Sequence, residues 1–315
     1  SKTLHHAVPV AINPSSVNYV DTFPRGKAEI RRATDGCPYK LTLTPAFYTT
    51  QRMTSLKGTV RFMKFFALSD VGSVRELNED AYLAKSYGDA ALFAVFDGMG
   101  GANAGECASA TAAHEVESYF DTFFSERHGT EPAVIQAALA SAADRANFRI
   151  YALAEADHAL EGMGTTMVAA LLAGGRIYIA NVGDSRAYLI DRDGAMQITR
   201  DHSFVKYLVD IGKLTPEEAR KSSKKNIITR AVGVDREVSV DVSVIEKKQY
   251  ADKTLLLCSD GLSNYIDAPA LAPLRREHPD CAEFVKTLID EANRAGGSDN
   301  ITAVAVELDK PEEEV

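Results

Sequence analysis

No apolar run in the 315 residues approaches the roughly 18 that a membrane-spanning helix needs, so no membrane partner is expected. No basic block stands out either. Lys plus Arg total 35 against 44 Asp plus Glu, a formal net charge of −9, and an acidic chain without a clustered positive face is a poor nucleic-acid binder. Cysteine is scarce: Cys37, Cys107, Cys258 and Cys281 are widely scattered with no CxxC pair. At least two sit inside apolar patterns, so buried thiols in a reducing cytoplasm are expected. A working P-loop is missing as well. Gly100 and Gly105 have its spacing, but Glu106 and Cys107 stand where Lys and Ser or Thr must hold phosphates and magnesium, so an ATPase or kinase reading fails. The opening SKTLHHAVPV lacks the basic start and long apolar stretch of a signal peptide. It begins with Ser1 rather than Met, and the true start is expected to be missing.

What is present suits a globular protein. With 45% hydrophobic and 25% charged residues, the chain can bury a large core in one big domain or two small ones. Five of the eleven prolines, Pro9, Pro14, Pro24, Pro38 and Pro45, fall in residues 1–60, where no periodicity is sustained. This region reads as an N-terminal extension of unknown role with at most short strands. It is open whether it is a regulatory arm, a strand added to the main sheet or a disordered remnant. Residues 61–310 form the main domain, and 311–315 an acidic tail.

From about Phe62 short β-like runs appear, KFFALSD, DAYLAKS and AALFAVFDG. Two helices follow. Ala112, Val116, Phe120 and Phe123 stripe the first; Pro132 opens the second, which Ile135, Leu139, Ala142, Ala146, Ile150 and Leu153 stripe. Residues 164–199 read as an antiparallel meander with turns at Gly174-Gly175 and Gly183-Asp184. A polar, helix-prone stretch runs from His202 to about Lys225, followed by the strands EVSVDVSVI and TLLLCSD, a helix around 282–295, and the strand ITAVAVEL. Strands grouped with strands and helices with helices argue for a layered α+β fold.

Four aspartates stand at ends of apolar strands: Asp97 after ALFAVF, Asp260 after TLLLCS, Asp80 before AYLAK and Asp299 before ITAVAVEL. One Asp-Gly pair taken alone is a turn. Four such ends brought together by a sandwich would crowd carboxylates that repel unless neutralised, and a multivalent cation is the natural remedy. Oxygen ligands without His or Cys at metal-binding spacing favour Mg²⁺ or Mn²⁺ over Zn²⁺. The glycine after Asp97 would let a carbonyl approach the ion.

The blocks SDVGSVRELNED, FAVFDGMGG, GTT, NVGDSRAYLI, LLLCSDGL and SDNITAVAV, in this order between about residues 64 and 308, resemble the metal-dependent serine/threonine protein phosphatases of type 2C, in their bacterial form. The resemblance implies an αββα sandwich of two antiparallel sheets between helices. It implies two Mn²⁺ or Mg²⁺ ions with a third, weaker one, and phosphorylated proteins, the products of a Ser/Thr kinase, as substrates. Asp80 and Asp97, with the Gly98 carbonyl, would serve one side of the metal pair, and Asp260 and Asp299 the other. Glu79 would act through water, and Asp184 would join Asp260 at the third ion. Arg75 would grip the substrate phosphate, its guanidinium fork suiting phosphate oxygens; a salt bridge to Asp70 or Glu76 is the alternative for that residue. No cysteine has arginine at the sixth position after it, as a cysteine-based phosphatase requires. Many eukaryotic relatives carry His where this chain has Met99, which cannot donate a proton to the leaving alcohol. A metal-bound water or another side chain must then do so, with His202 in RDHS a candidate. The stretch 202–225 matches the family's variable flap. The rival reading is a binding module that keeps the fold without catalysis, whose mark would be a lost metal carboxylate; all four are present. Activity on small phosphate esters stays open. The chain is expected to be a cytoplasmic monomer.

Overall fold

The computed structural model describes residues 29–31, 37–42, 46–54, 60–101 and 104–308. The acidic tail and most of residues 1–60 lie outside the described residues. Within that extension, β1 (Glu29–Arg31) and β2 (Lys40–Thr42) pair as a short antiparallel ribbon. β3 (Ala46–Thr54) runs antiparallel along β4 (Val60–Asp70), from Ala46 opposite Leu68 to Thr54 opposite Val60. This segment is a strand added to the main sheet.

Beyond it the chain follows its apolar periodicity. β5 (Asp80–Tyr87) and β6 (Ala90–Met99) form a hairpin. α1 (Ala104–Ser125) and α2 (Pro132–Ala156) bury the stripes that their spacing predicts, Val116, Phe120 and Phe123 on one and Ile135, Leu139 and Ile150 on the other. Pro132 at the first turn loses no hydrogen bond there. Then come β7 (Gly164–Thr165), β8 (Met167–Ala173), β9 (Arg176–Val182), β10 (Arg186–Ile190) and β11 (Ala195–Gln197). The stretch 202–225 holds α3 (Phe204–Asp210) and α4 (Pro216–Lys221), each capped by a hydroxyl, Ser203 and Thr215. β12 (Asp241–Glu246), α5 (Lys247–Tyr250), β13 (Thr254–Cys258), α6 (Asp260–Ser263), α7 (Ala268–Glu277), α8 (Cys281–Arg294) and β14 (Ile301–Glu307) complete the described chain.

The strands make two antiparallel sheets, ordered β11-β10-β13-β14-β4-β3 and β12-β9-β8-β6-β5, with β7 pairing off the end of β6. Phe65, Phe93, Val168, Ile179, Leu189, Leu257 and Val304 pack between them. α1 and α2 cover the outer face of the second sheet, and α7 and α8 that of the first. This is the αββα sandwich.

Two expectations are corrected. The meander predicted over 164–199 is interrupted, because β9 pairs with β8 and β12 in one sheet while β10 pairs with β13 in the other. Hairpin signals report local reversal, not which sheet the next strand joins. The crossing falls at Gly183, whose φ of +103° suits glycine, and Asp184. The cysteines are also not all thiols. Cys258 and Cys281 are buried and free, but Cys37 and Cys107 are joined by a disulfide with Cα atoms 5.7 Å apart. Their separation of 70 residues hides the contact from the sequence. Beside the bond Tyr39 stacks on His114 of α1, with ring centroids 4.2 Å apart. Disulfides are uncommon in reducing compartments, so this bond removes the support that scattered thiols lent to a cytoplasmic location. Among the described residues no helix is long and apolar enough to cross a membrane.

Two measurements check this architecture. Phe93 is 1% exposed and meets Phe65 edge-on at 5.0 Å; Phe93→Ala is expected to lower stability by about 3–5 kcal/mol in denaturant titration. Thiol titration of the unfolded, unreduced chain should find only Cys258 and Cys281, with Cys37 and Cys107 joining them after reduction.

Candidate functional site

Antiparallel register sets Asp80 directly opposite Asp97 at the end of the β5–β6 hairpin. Side chains so paired share a face, with Cβ atoms about 5 Å apart, so two carboxylates are neighbours by construction. Asp184 reaches the same edge from the crossing between sheets, Asp260 from the start of α6 after β13, and Asp299 from the turn into β14. A cleft of about 270 Å³ opens at this edge. Arg75, Glu79, Asp97, Asp184, Asp260 and Asp299 line it, with Gly98 and Met99. Asp80 is not among the lining residues and is 2% exposed. The structure thus gathers the residues singled out from the sequence. It exchanges the two of the NED block, bringing Glu79 to the wall and setting Asp80 behind.

Close backbone contacts hold this edge together. A Cβ on Gly98 would lie 2.1 Å from the Gly105 carbonyl oxygen and 2.5 Å from that of Glu79. The first turn of α1 therefore packs on the strand end only because both residues are glycine. Asn300 ties the loop that carries Arg75: its Oδ1 accepts from Glu79 N at 2.8 Å, and its Nδ2 donates to the carbonyls of Val71 and Leu77 at 2.9 and 2.8 Å. The GTT block holds the end of β6, where Thr166 Oγ1 accepts from Asp97 N and Thr165 Oγ1 donates to Asp97 O, both at 3.0 Å.

Electrostatics follow from this crowding. Burial, opposed by hydrogen bonds from Thr302 and Ser259 and reinforced by Asp260 and Asp299, pushes the Asp80 carboxyl up to about 7. Asp97 is pushed well above the usual range by desolvation and then by Asp80, Asp260, Asp184 and Asp299. Asp184 is raised by desolvation and Asp260; Asp260 rises to about 6 by desolvation and Asp299. Desolvation also raises Glu79, against the pull of Arg75.

Arg75 forms neither of the salt bridges weighed from the sequence. Its Nη2 sits 3.0 Å from Asp299 Oδ1 and its Nη1 3.7 Å from Glu79 Oε2, so the guanidinium bridges two acids of the cleft while remaining half-exposed. Among the described residues no three acidic, histidine or cysteine side chains meet as a ready-made ion cage. The donor set nevertheless suits hard cations. It is all oxygen, it carries a large excess of negative charge, and Asp80 Oδ1 is buried without a hydrogen-bond partner among the described residues.

His202 is not a proton donor to the cleft. It is 7% exposed; its Nδ1 accepts from Gly183 N at 3.1 Å, which leaves the proton on Nε2, 3.1 Å from Asp241 Oδ2. Burial and Arg230 push its imidazole down, against Asp241. It braces the turn that presents Asp184. Sequence reasoning passed over Asn226 and Ile228, which line the cleft from just beyond the flap, and Ser259, Asn300 and Thr302. The last three stand beside metal-type aspartates in the SDG and SDNIT blocks, and that adjacency was the available signal.

Comparison with known proteins agrees with this geometry. The model of the family "Protein phosphatase 2C" matches residues 73–304. A serine/threonine phosphatase stp of Listeria innocua is 37% identical over 240 residues, 76% of this chain and 93% of that protein. The crystal structure of serine/threonine phosphatase Stp1 from Staphylococcus aureus superposes with a TM-score of 0.73 at 33% identity, covering 83% of this chain and 98% of that one. The catalytic domain of the serine/threonine protein phosphatase PstP, solved in complex with 2 manganese ions, gives a TM-score of 0.67 at 38% identity over 78% of this chain and 99% of that one. Sequence, fold and the acidic cleft agree: the chain belongs to the protein phosphatase 2C family and is a protein serine/threonine phosphatase.

Proposed function

We propose that the chain hydrolyses phosphoserine and phosphothreonine in proteins at two divalent cations, manganese or magnesium, and so opposes a Ser/Thr kinase. The observation that carries this reading is the charge imbalance at the strand ends, where Glu79, Asp80, Asp97, Asp184, Asp260 and Asp299 crowd one edge and Arg75 bridges only Glu79 and Asp299. The 2 manganese ions of the PstP catalytic domain support it.

In this reading Asp97, Asp260, Asp299 and Glu79, with the Gly98 carbonyl, hold the ions, and Asp80 adds its charge from beneath. Asp184 and Asp260 take a third, weaker ion. When bound, the cations supply Lewis-acid neutralisation of the phosphate and lower the pKa of an attacking water. Arg75 binds the substrate. With Asp299 and Glu79 facing cations, its donors are released to the phosphate oxygens, whose geometry its planar fork matches. Met99 lends the wall bulk but no proton. Neither Cys nor His lines the cleft among the described residues, which favours direct attack by water over a covalent phosphoenzyme.

Phosphate release from a phosphothreonine peptide tests the reading. Activity should require Mn²⁺ or Mg²⁺ and fall to background in EDTA. Asp260→Asn should lower kcat/KM by more than the roughly 10- to 100-fold seen when an outer partner of a metal ligand is lost. A folded, Mn²⁺-treated wild type that releases no phosphate from several phosphopeptides would instead make the chain a binding module.

The raised carboxyls set a pH dependence. With folded values of about 7 for Asp80 and about 6 for Asp260 against an ordinary aspartate value of 3.8, the native protein holds protons that the unfolded chain has released. The stability of the cation-free protein is therefore fully present below about pH 4 for these groups and is lost as pH rises to about 7. Calorimetry in EDTA should give a lower Tm near neutrality than at about pH 5, and Mn²⁺ should raise Tm more near neutrality, because ions and protons compete for the same oxygens.

A further inference from the structure

Asp80 is the most buried of the site's acids, and its two oxygens are treated differently. Oδ2 receives two hydroxyls, from Thr302 Oγ1 at 2.6 Å and Ser259 Oγ at 2.8 Å. Oδ1, also buried, has no hydrogen-bond partner among the described residues. Both donors are 0% exposed.

The polarity of the hydroxyls behind them is determined from both ends. Asn78 Oδ1 accepts from Asp80 N at 3.1 Å, which assigns its amide and makes Nδ2 the group that donates to Ser69 Oγ at 2.8 Å. Thr302 has one hydroxyl proton, and it lies on Asp80. The 2.7 Å contact between Ser69 and Thr302 must then run from Ser69 to Thr302. A single directed chain results, Asn78 to Ser69 to Thr302 to the carboxylate. Ser259 joins it by accepting from Thr302 N at 3.0 Å while donating to Asp80. Donors aligned in this way hold their acceptor in one orientation. They also occupy Oδ2, leaving Oδ1 as the unengaged oxygen of a carboxyl group whose charged neighbours include Asp97, Asp260 and Asp299.

We propose that Thr302 and Ser259 are positioning residues for cation binding: their hydroxyls hold the Asp80 carboxyl group in one orientation, engaging Oδ2 and leaving Oδ1 free for the cation site. The inference rests on the metal reading above. It assigns a purpose to the Ser of SDG and the Thr of SDNIT, neither of which touches the cleft. Outer partners that orient a metal's anionic surroundings matter nearly as much as the ligands, and their loss costs about 10- to 100-fold in metal affinity.

The test compares Thr302→Val, which keeps the shape and removes the hydroxyl, with Thr302→Ser, which keeps the hydroxyl. Mn²⁺ affinity is read by the electron-paramagnetic-resonance signal of free Mn²⁺, and folding by thermal unfolding in EDTA. Thr302→Val should bind Mn²⁺ about 10- to 100-fold more weakly and need correspondingly more Mn²⁺ for half-maximal phosphatase activity, while Thr302→Ser keeps wild-type affinity. Ser259→Ala, which removes the second donor, should weaken binding in the same sense and serves if the valine variant does not fold. Wild-type affinity in a folded Thr302→Val or Ser259→Ala overturns the proposal, even where Tm has dropped, since a packing role would move Tm alone. Equal weakening in Thr302→Val and Thr302→Ser also overturns it. A wild type that binds no Mn²⁺ overturns the metal reading itself, and this inference with it.

Discussion

The constraint on which the rest depends is the repulsion among carboxylates at one edge of two packed sheets. Asp80 and Asp97 face each other across a strand pair, with Asp260, Asp299 and Asp184 converging on the same edge. Charges so placed, largely withdrawn from water, are tolerable only with protons, a guanidinium or cations among them. Without cations, protons and Arg75 carry that role. The raised carboxyls and the bridge from Arg75 to Asp299 and Glu79 are two expressions of one shortage of positive charge.

Much of the surrounding structure keeps those groups from moving apart. The sandwich core fixes the strands, and close glycine contacts fix their ends. The Cβ that Gly98 lacks would collide with Gly105 and Glu79, and one on Gly261 would lie 2.0 Å from the Asn300 carbonyl. Asn300 secures the loop of Arg75, His202 the turn of Asp184, and the Thr302–Ser259 pair the carboxylate of Asp80. Each brace is buried and polar, and each is hydrogen-bonded through more than one group. Such networks are rigid when fully satisfied. Asp80 Oδ1 is where this one is left open.

The legible part of the protein was what local chemistry repeats. The stripes of α1 and α2, the runs of β5, β6, β13 and β14, and the aspartates at their ends could all be read from spacing, because each depends on neighbours within a few residues. The ordered blocks that resemble type 2C phosphatases added the fold and the reaction. Missed features have the opposite character. The disulfide between Cys37 and Cys107 and the hydroxyls behind Asp80 join residues far apart in sequence. His202 stands in the polar run RDHS, whereas its burial comes from the turn and strand that pack on it.

The amino-acid sequence by itself determined which residues end the strands, that they are oxygen donors suited to hard cations, and that an α+β sandwich would gather them. Only the tertiary structure decided that Glu79 and not Asp80 lines the cleft, that Arg75 bridges Asp299, and that the chain changes sheets at Asp184. Periodicity specifies the face a side chain takes within its own element. Depth beneath a cleft, and the partner across it, depend on how separate elements are stacked, and no local pattern carries that information.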